Sequence, residues 1–235
     1  MTCKKVIVDS RLSAKCCEKL QKMGYELVFT PQISVLDVPI CAHPDMSVIN
    51  IGQKWFAAND VYNVFTFLGD CEFISRADGV RNNLSYPFDV AFNGAVLGKR
   101  LICNSKYISQ YILDYALKSD YEIVDVKQGY TKCSVCVVDD NSIITEDKGV
   151  ADKCANAGID VLLLKTHGVK LDGFENGFFG GCSGKLSDGH LVFAGCIESH
   201  AEYREILKFC TERGVEPVSL SDEPLYDVGS IIEVP

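Results

Sequence analysis

Two short segments carry residue types that can do chemistry. His43, Pro44 and Asp45 set an imidazole two residues from a carboxylate, a pair able to move a proton and hold a cation. Cys182 lies in Gly180–Gly181–Cys182–Ser183–Gly184, where small residues let a ligand approach the backbone. A thiol there can act as a nucleophile once it loses its proton. Cys133, next to Lys132, is a second candidate thiol. Each has a structural alternative. His43–Asp45 also reads as a His–Pro turn with Asp45 capping a strand. Cys182 also reads as a tight strand start that needs small residues, and Cys133 as an ordinary strand edge. His167 falls in a glycine-rich connection, His190 in a hairpin turn and His200 in the first turn of a predicted helix, all surface positions.

The chain has 235 residues, 47% hydrophobic and 23% charged, with twelve cysteines and a net charge of −9. Scattered acidic residues favour solubility, and the lack of a basic stripe argues against a nucleic-acid partner. No apolar run approaches the roughly 20 residues of a membrane helix. The N-terminus shows no signal-peptide pattern, so a cytoplasmic location is expected. Cys133 and Cys136 form a lone C-x-x-C in a predicted strand, where residues three apart face opposite ways. No second ligand pair accompanies them. Buried reduced thiols are therefore expected, with no disulfide, no metal and no cofactor.

The elements that must position these residues repeat along the chain. A strand, a helix, a stop and a second strand recur as Val6–Asp9 to Gly24–Phe29 and Leu101–Ser105 to Asp120–Val126. They recur again as Ser142–Asp147 to Gly158–Leu164 and Leu191–Gly195 to Gly214–Leu220. Repeats of this length signal units that cannot bury their apolar faces alone. A further strand precedes three of them through turns rich in Gly, Asn or Asp: Asp89–Leu97, Ser134–Val138 and Gly180–Leu186. An irregular unit runs from His43–Ile49 through Lys54–Ala58 to a helix at Val61–Leu68. Ser199 and Glu202 read as a capping box for the last helix, and Gly214 as its stop. The first unit lacks a leading strand, and Asp227–Val234 can supply one by pairing with Lys4–Asp9.

Five strand–strand–helix–strand units resemble the pentein fold, the α/β propeller of the guanidino-group-modifying enzymes. The resemblance implies one α/β domain over residues 1–235, a closed ring with helices outside, whose first strands line a central channel. It implies that a thiolate attacks a guanidinium carbon while a histidine shuttles protons and carboxylates bind the cationic nitrogens. His43–Pro44–Asp45 is similar to the family's H-x-D segment. The family places its cysteine at the start of the final first strand. This chain instead reads Leu225–Tyr226–Asp227–Val228–Gly229–Ser230 there. Cys182 is the substitute nucleophile under this resemblance, with His43 as acid and base. Asp45, Asp89 and Asp227 are then expected to bind a small cationic substrate, with Ser183 and Ser230 nearby. The implied activity is that of an amidinohydrolase, deiminase or amidinotransferase. The other reading is a non-catalytic ring that binds a small molecule or a protein.

Overall fold

The computed structural model describes residues 4–76 and 84–235. In chain order the elements begin with β1 (Lys4–Asp9), α1 (Ala14–Lys22), β2 (Tyr25–Thr30), β3 (Val48–Ile51), β4 (Lys54–Ala58), α2 (Tyr62–Phe65) and β5 (Cys71–Ile74). Then come β6 (Ala95–Leu97), β7 (Arg100–Cys103), α3 (Gln110–Lys118), β8 (Glu122–Asp125), α4 (Thr131–Ser134), β9 (Cys136–Asp139), β10 (Ser142–Thr145), α5 (Lys148–Asn156) and β11 (Asp160–Leu163). The chain ends with β12 (Ser183–Lys185), β13 (His190–Phe193), α6 (Tyr203–Thr211), β14 (Glu216–Ser219) and β15 (Ile232–Val234).

The strands form five three-stranded sheets: β15-β1-β2, β3-β4-β5, β6-β7-β8, β9-β10-β11 and β12-β13-β14. In each sheet the central strand pairs antiparallel with the first strand and parallel with the last. A parallel neighbour requires a crossover, and a helix supplies it. The termini meet as expected, with Lys5 opposite Val234 and Ile7 opposite Ile232. Sheets also touch one another through β6 and β9, β9 and β12, and β12 and β15.

Local chemistry sets the boundaries. Ser13 caps α1 through the N–H of Cys16, and Asp147 caps α5 through the N–H of Val150 at 3.0 Å. Gly24, Gly158 and Gly214 follow their helices with positive φ, and Asp120 takes that place after α3 at φ 59°. Leu20, Ile112, Cys154 and Ile206 are fully buried, one or more from each longer helix, as a single apolar face requires.

Three expectations are corrected. The first strands are shorter than the apolar patterning predicts. Residues 43–47, 89–94, 180–182 and 227–231 lie ahead of the strands as turns and loops. Cys133 sits in the one-turn helix α4, not in a strand, and only Cys136 begins β9. The capping box at Ser199 does not form: the Ser199 hydroxyl donates to the Cys196 carbonyl. Glu202 Oε1 accepts from the N–H groups of Lys165 and Thr166 and from the Thr166 hydroxyl. Three donors outcompete the single amide that a capping box offers.

Every cysteine among the described residues is a free thiol. No helix among them is long and apolar enough to cross a membrane.

Ile7 is fully buried in the largest apolar cluster and faces Ile232 across the terminal strand pair. Ile7→Ala should lower the unfolding free energy by about 2–5 kcal/mol in urea denaturation. A loss below about 1 kcal/mol would mean that the terminal pair contributes little to the core.

Candidate functional site

Each first strand is preceded by a buried lead-in segment, and the five lead-ins are hydrogen-bonded to one another in a cycle. The Asp45 N–H donates to the Gly229 carbonyl at 3.1 Å. Asn93 Nδ2 donates to the Asp45 carbonyl at 3.4 Å, and Asn93 Oδ1 accepts the Lys132 N–H at 2.7 Å. The Gly181 N–H donates to the Cys133 carbonyl at 2.7 Å, and the N–H groups of Val228 and Ser230 donate to the Gly181 carbonyl. Two glycines permit this closeness. A side chain at Gly181 would overlap the Asp227 carboxylate, and one at Gly229 would overlap His43. Gly229 also has φ 64°, and Ser230, which is not glycine, is held at φ 71°.

The cycle gathers polar side chains in a dry place. The Cys133 thiol donates to Asp45 Oδ2 at 3.0 Å, and Asn93 Nδ2 reaches Cys133 Sγ at 3.5 Å. The Ser230 hydroxyl donates to the same Asp45 oxygen at 3.1 Å and accepts from Lys132 Nζ at 3.0 Å. Ligand atoms of His43, Asp45 and Cys133 all lie within 4.8 Å of one another. His43 Nδ1 stands 3.9 Å from Asp227 Oδ1, and His43 Nε2 stands 3.9 Å from Asp9 Oδ2, too long for hydrogen bonds. Asp9 itself accepts from Arg11 Nε and Nη2. Asp227 accepts from the N–H groups of Phe178 and Gly229 at 2.9 and 3.0 Å. Both His43 nitrogens and Asp45 Oδ1 are buried with no hydrogen-bond partner.

Burial sets the charge states. It pushes the carboxyls of Asp45 and Asp227 up, against the Cys133 thiol and Lys132 for the first, and His43 and backbone N–H groups for the second. Burial pushes His43 down, so the imidazole is neutral. Burial and then the Asp45 charge push the Cys133 thiol well above its ordinary value. At rest the thiol is therefore protonated.

The structure brings His43, Asp45, Asp227 and Ser230 together. Asp89 makes a contact of its own: its Oδ2 accepts from the Tyr130 hydroxyl at 2.7 Å, while Oδ1 has no partner. Cys182 is not among them. Its thiol donates to the Phe179 carbonyl and packs with Cys136, Phe193 and Leu191 in an apolar cluster. Burial raises it well above the ordinary thiol value. Ser183, the first residue of β12, donates to the Gly180 carbonyl at 2.8 Å. The small residues around Cys182 thus admit neighbouring backbone and the Asp227 carboxylate rather than a ligand. The thiol at the centre is Cys133, because one turn of α4 aims it at Asp45. Sequence reasoning missed Asp9 and Arg11, whose Asp-x-Arg spacing at a strand end was the available signal.

Five three-stranded sheets with one repeated topology define an α/β protein of the pentein fold, as the solved structures below show. The chain belongs to the family of unknown function DUF6873, whose model matches residues 7–232. A dimethylarginine dimethylaminohydrolase, in an adduct with S-methyl-L-thiocitrulline, superposes with TM-score 0.58 at 10% identity, covering 93% of this chain and 92% of that one. The Pseudomonas aeruginosa enzyme of that name, a Cys-to-Ser variant complexed with citrulline, gives 0.56 at 10% identity, with 94% and 93% covered. The inosamine-phosphate amidinotransferase of Streptomyces griseus gives 0.51 at 10% identity, with 93% and 88% covered. No curated protein sequence matches.

The raised carboxyl of Asp45 makes a signed prediction. The folded protein holds that proton more tightly than the unfolded chain does. Its contribution to stability is fullest below the ordinary value of 3.8 and declines as pH rises through the higher folded value. Asp45→Asn removes this decline. The stability of the variant relative to the native protein, followed by urea denaturation, should rise with pH across that window; a constant difference contradicts a desolvated carboxylate.

Proposed function

We propose that the protein is a cysteine-dependent hydrolase or transferase acting on a small guanidino or amidino compound, with Cys133 in the role that the sequence assigns to Cys182. The observation that carries the reading is the Cys133 thiol bonded to Asp45 Oδ2 at 3.0 Å, with His43 beside both. A guanidinium carbon is a poor electrophile, and a thiolate is the side chain suited to attack it. Cation entry lowers the pKa of the thiol and of the carboxylates together, because it offsets the charge that burial penalises. The thiol proton passes to Asp45. Sulfur then bonds to the central carbon, the C–N bond breaks, and the departing amine takes a proton relayed through His43. Water releases the amidino group in a hydrolase; an acceptor amine takes it in a transferase. Asp227 binds the cationic nitrogens, Asp89 serves the same end from the rim, and Ser230 holds Asp45 in place.

The same reading includes one domain with its five sheets around a common axis and helices outside. The paired termini and the cycle of lead-in hydrogen bonds support it. Free thiols throughout the described residues support a reducing, cytoplasmic setting. A non-catalytic binding role is the second reading, favoured by the complete burial of Cys133 and its raised thiol.

The test is amine release from a panel of guanidino and amidino compounds, with the mass of Cys133 followed. Cys133→Ala should cut turnover by about a thousandfold or more, and His43→Ala by about 10²–10⁴. Cys182→Ala should leave the rate per folded molecule near native. Full activity in Cys133→Ala sinks the catalytic assignment. Saturable binding with no turnover in the native protein selects the second reading.

A further inference from the structure

The proposed chemistry leaves Asp9 and Arg11 without a task. Asp9 ends β1 and is 1% exposed. One of its oxygens has two neighbours: Oδ2 accepts from Arg11 Nη2 at 2.7 Å and stands 3.9 Å from His43 Nε2. The other, Oδ1, accepts from Arg11 Nε at 3.0 Å and from the Arg11 backbone N–H at 2.7 Å. The Arg11 side chain is 35% exposed and lines, with Asp9, a groove of about 510 Å³. The His43 side chain is 1% exposed. The carboxylate therefore separates a guanidinium at the surface from an imidazole in the interior.

The same guanidinium holds the chain that carries His43. Nη1 donates to the Val38 carbonyl at 2.7 Å, and Nη2 donates to the Pro39 carbonyl at 2.8 Å. Those carbonyls belong to the turn Val38–Ile40, and the His43 N–H donates to the Ile40 carbonyl at 3.1 Å. One planar fork thus fixes both the carboxylate facing the ring and the turn that bears the ring. Electrostatics couple the three groups as well. A carboxylate 3.9 Å from a buried imidazole favours the imidazolium, and a cation paired with that carboxylate opposes it. Burial is the main force pushing His43 down; Asp227 and Asp9 pull it up, and Arg11 pushes it down again. Asp45 and Cys133 complete the surroundings, with ligand atoms within 4.8 Å.

We propose that Arg11 is a positioning residue for His43: it holds Asp9 and the Val38–Pro39 carbonyls in place and offsets the carboxylate that faces Nε2. The imidazole thereby stays uncharged and free to take a proton. Its place in turnover rests on the function proposed above; the link from Arg11 through Asp9 to the ring does not.

NMR titration of the full chain with isotope-labelled histidine tests this, and only four histidines need be told apart. In Arg11→Gln the His43 imidazole should bind its proton at least tenfold more tightly than in the native protein, while Arg11→Lys, which keeps the charge, should stay within about threefold of native. Water let in by the shorter side chain would also favour the imidazolium. The double variant Asp9→Asn with Arg11→Gln opens the site equally but lacks the carboxylate, so it should lose most of the rise. Should Arg11→Gln fail to fold, as judged by its thermal melt, Arg11→Met, which keeps the stem and lacks the charge, carries the same test. A role as a strap alone would change the melts and leave the titration where it was. A His43 titration unmoved in the folded charge-free variant, including a ring uncharged down to acid unfolding in both proteins, overturns the proposal. So does an equal rise in the double variant. A raised titration in a protein that shows no turnover supports the link and overturns only the catalytic reading.

Discussion

The Asp227 carboxylate is pressed against the backbone of Gly181, and much of the centre follows from that contact. It takes N–H groups from Phe178 and Gly229, so one side chain fixes the loop before β12 and the turn before β15. The turn in turn sets Gly229 under His43 and aims the Ser230 hydroxyl at Asp45. Hydrogen bonds to a charged acceptor are the stronger kind, and they offset part of the cost of burying that acceptor. A larger residue at 181 would displace the carboxylate, and the turn and imidazole with it. The rigidity of the site therefore comes from a buried carboxyl group seated on bare backbone.

Desolvation then decides what the centre can do. Asp45 and Asp227 each have raised carboxyls, and the imidazole between Asp227 and Asp9 is neutral. The fixed cations stand around the cluster: Arg11 holds Asp9, and Lys132 holds Ser230. Such an arrangement favours a cation at its middle, since one positive charge would stabilise several desolvated acids at once. It disfavours a resting thiolate, because Cys133 faces a carboxylate across 3.0 Å. The same electrostatics keep the thiol inert when alone, and under the proposed function a cationic ligand is what would release it.

The repeat was legible in the sequence because helix stops and hairpin turns have strong local chemistry. Gly98 and Gly52 turn their hairpins with positive φ, and Gly214 ends α6. The pairing of the termini was legible because an apolar strand with no partner must find one. Where each first strand begins was not legible. Val90, Ala91 and Phe92 look like strand residues, yet they are buried in a lead-in because that segment packs inside the molecule too. Of the candidate site, His43, Asp45, Asp227 and Ser230 were readable as residues at the starts of units. The choice between Cys182 and Cys133 was not, since it depends on a single helical turn at Thr131–Ser134 that rotates one thiol toward Asp45. No composition or spacing encodes that rotation, because both cysteines have small polar neighbours and apolar strands beyond them.

The position of the central thiol has a physical explanation in the repeat. All five lead-ins are joined in one cycle of hydrogen bonds, so each borders the same cluster of side chains. A group needed there can be delivered from more than one unit without changing the sheets. The resemblance puts a cysteine at the start of the final first strand, where this chain reads Leu225–Ser230 without one. In this structure the central thiol lies on the lead-in before β9, and Ser230 links Lys132 to Asp45. Ser230 holds a positive φ although serine disfavours it, which is expected where the surrounding contacts over-determine a strained residue. Under the proposed function, the fold is what five repeated units fix, while the chemistry depends on which unit contributes each group.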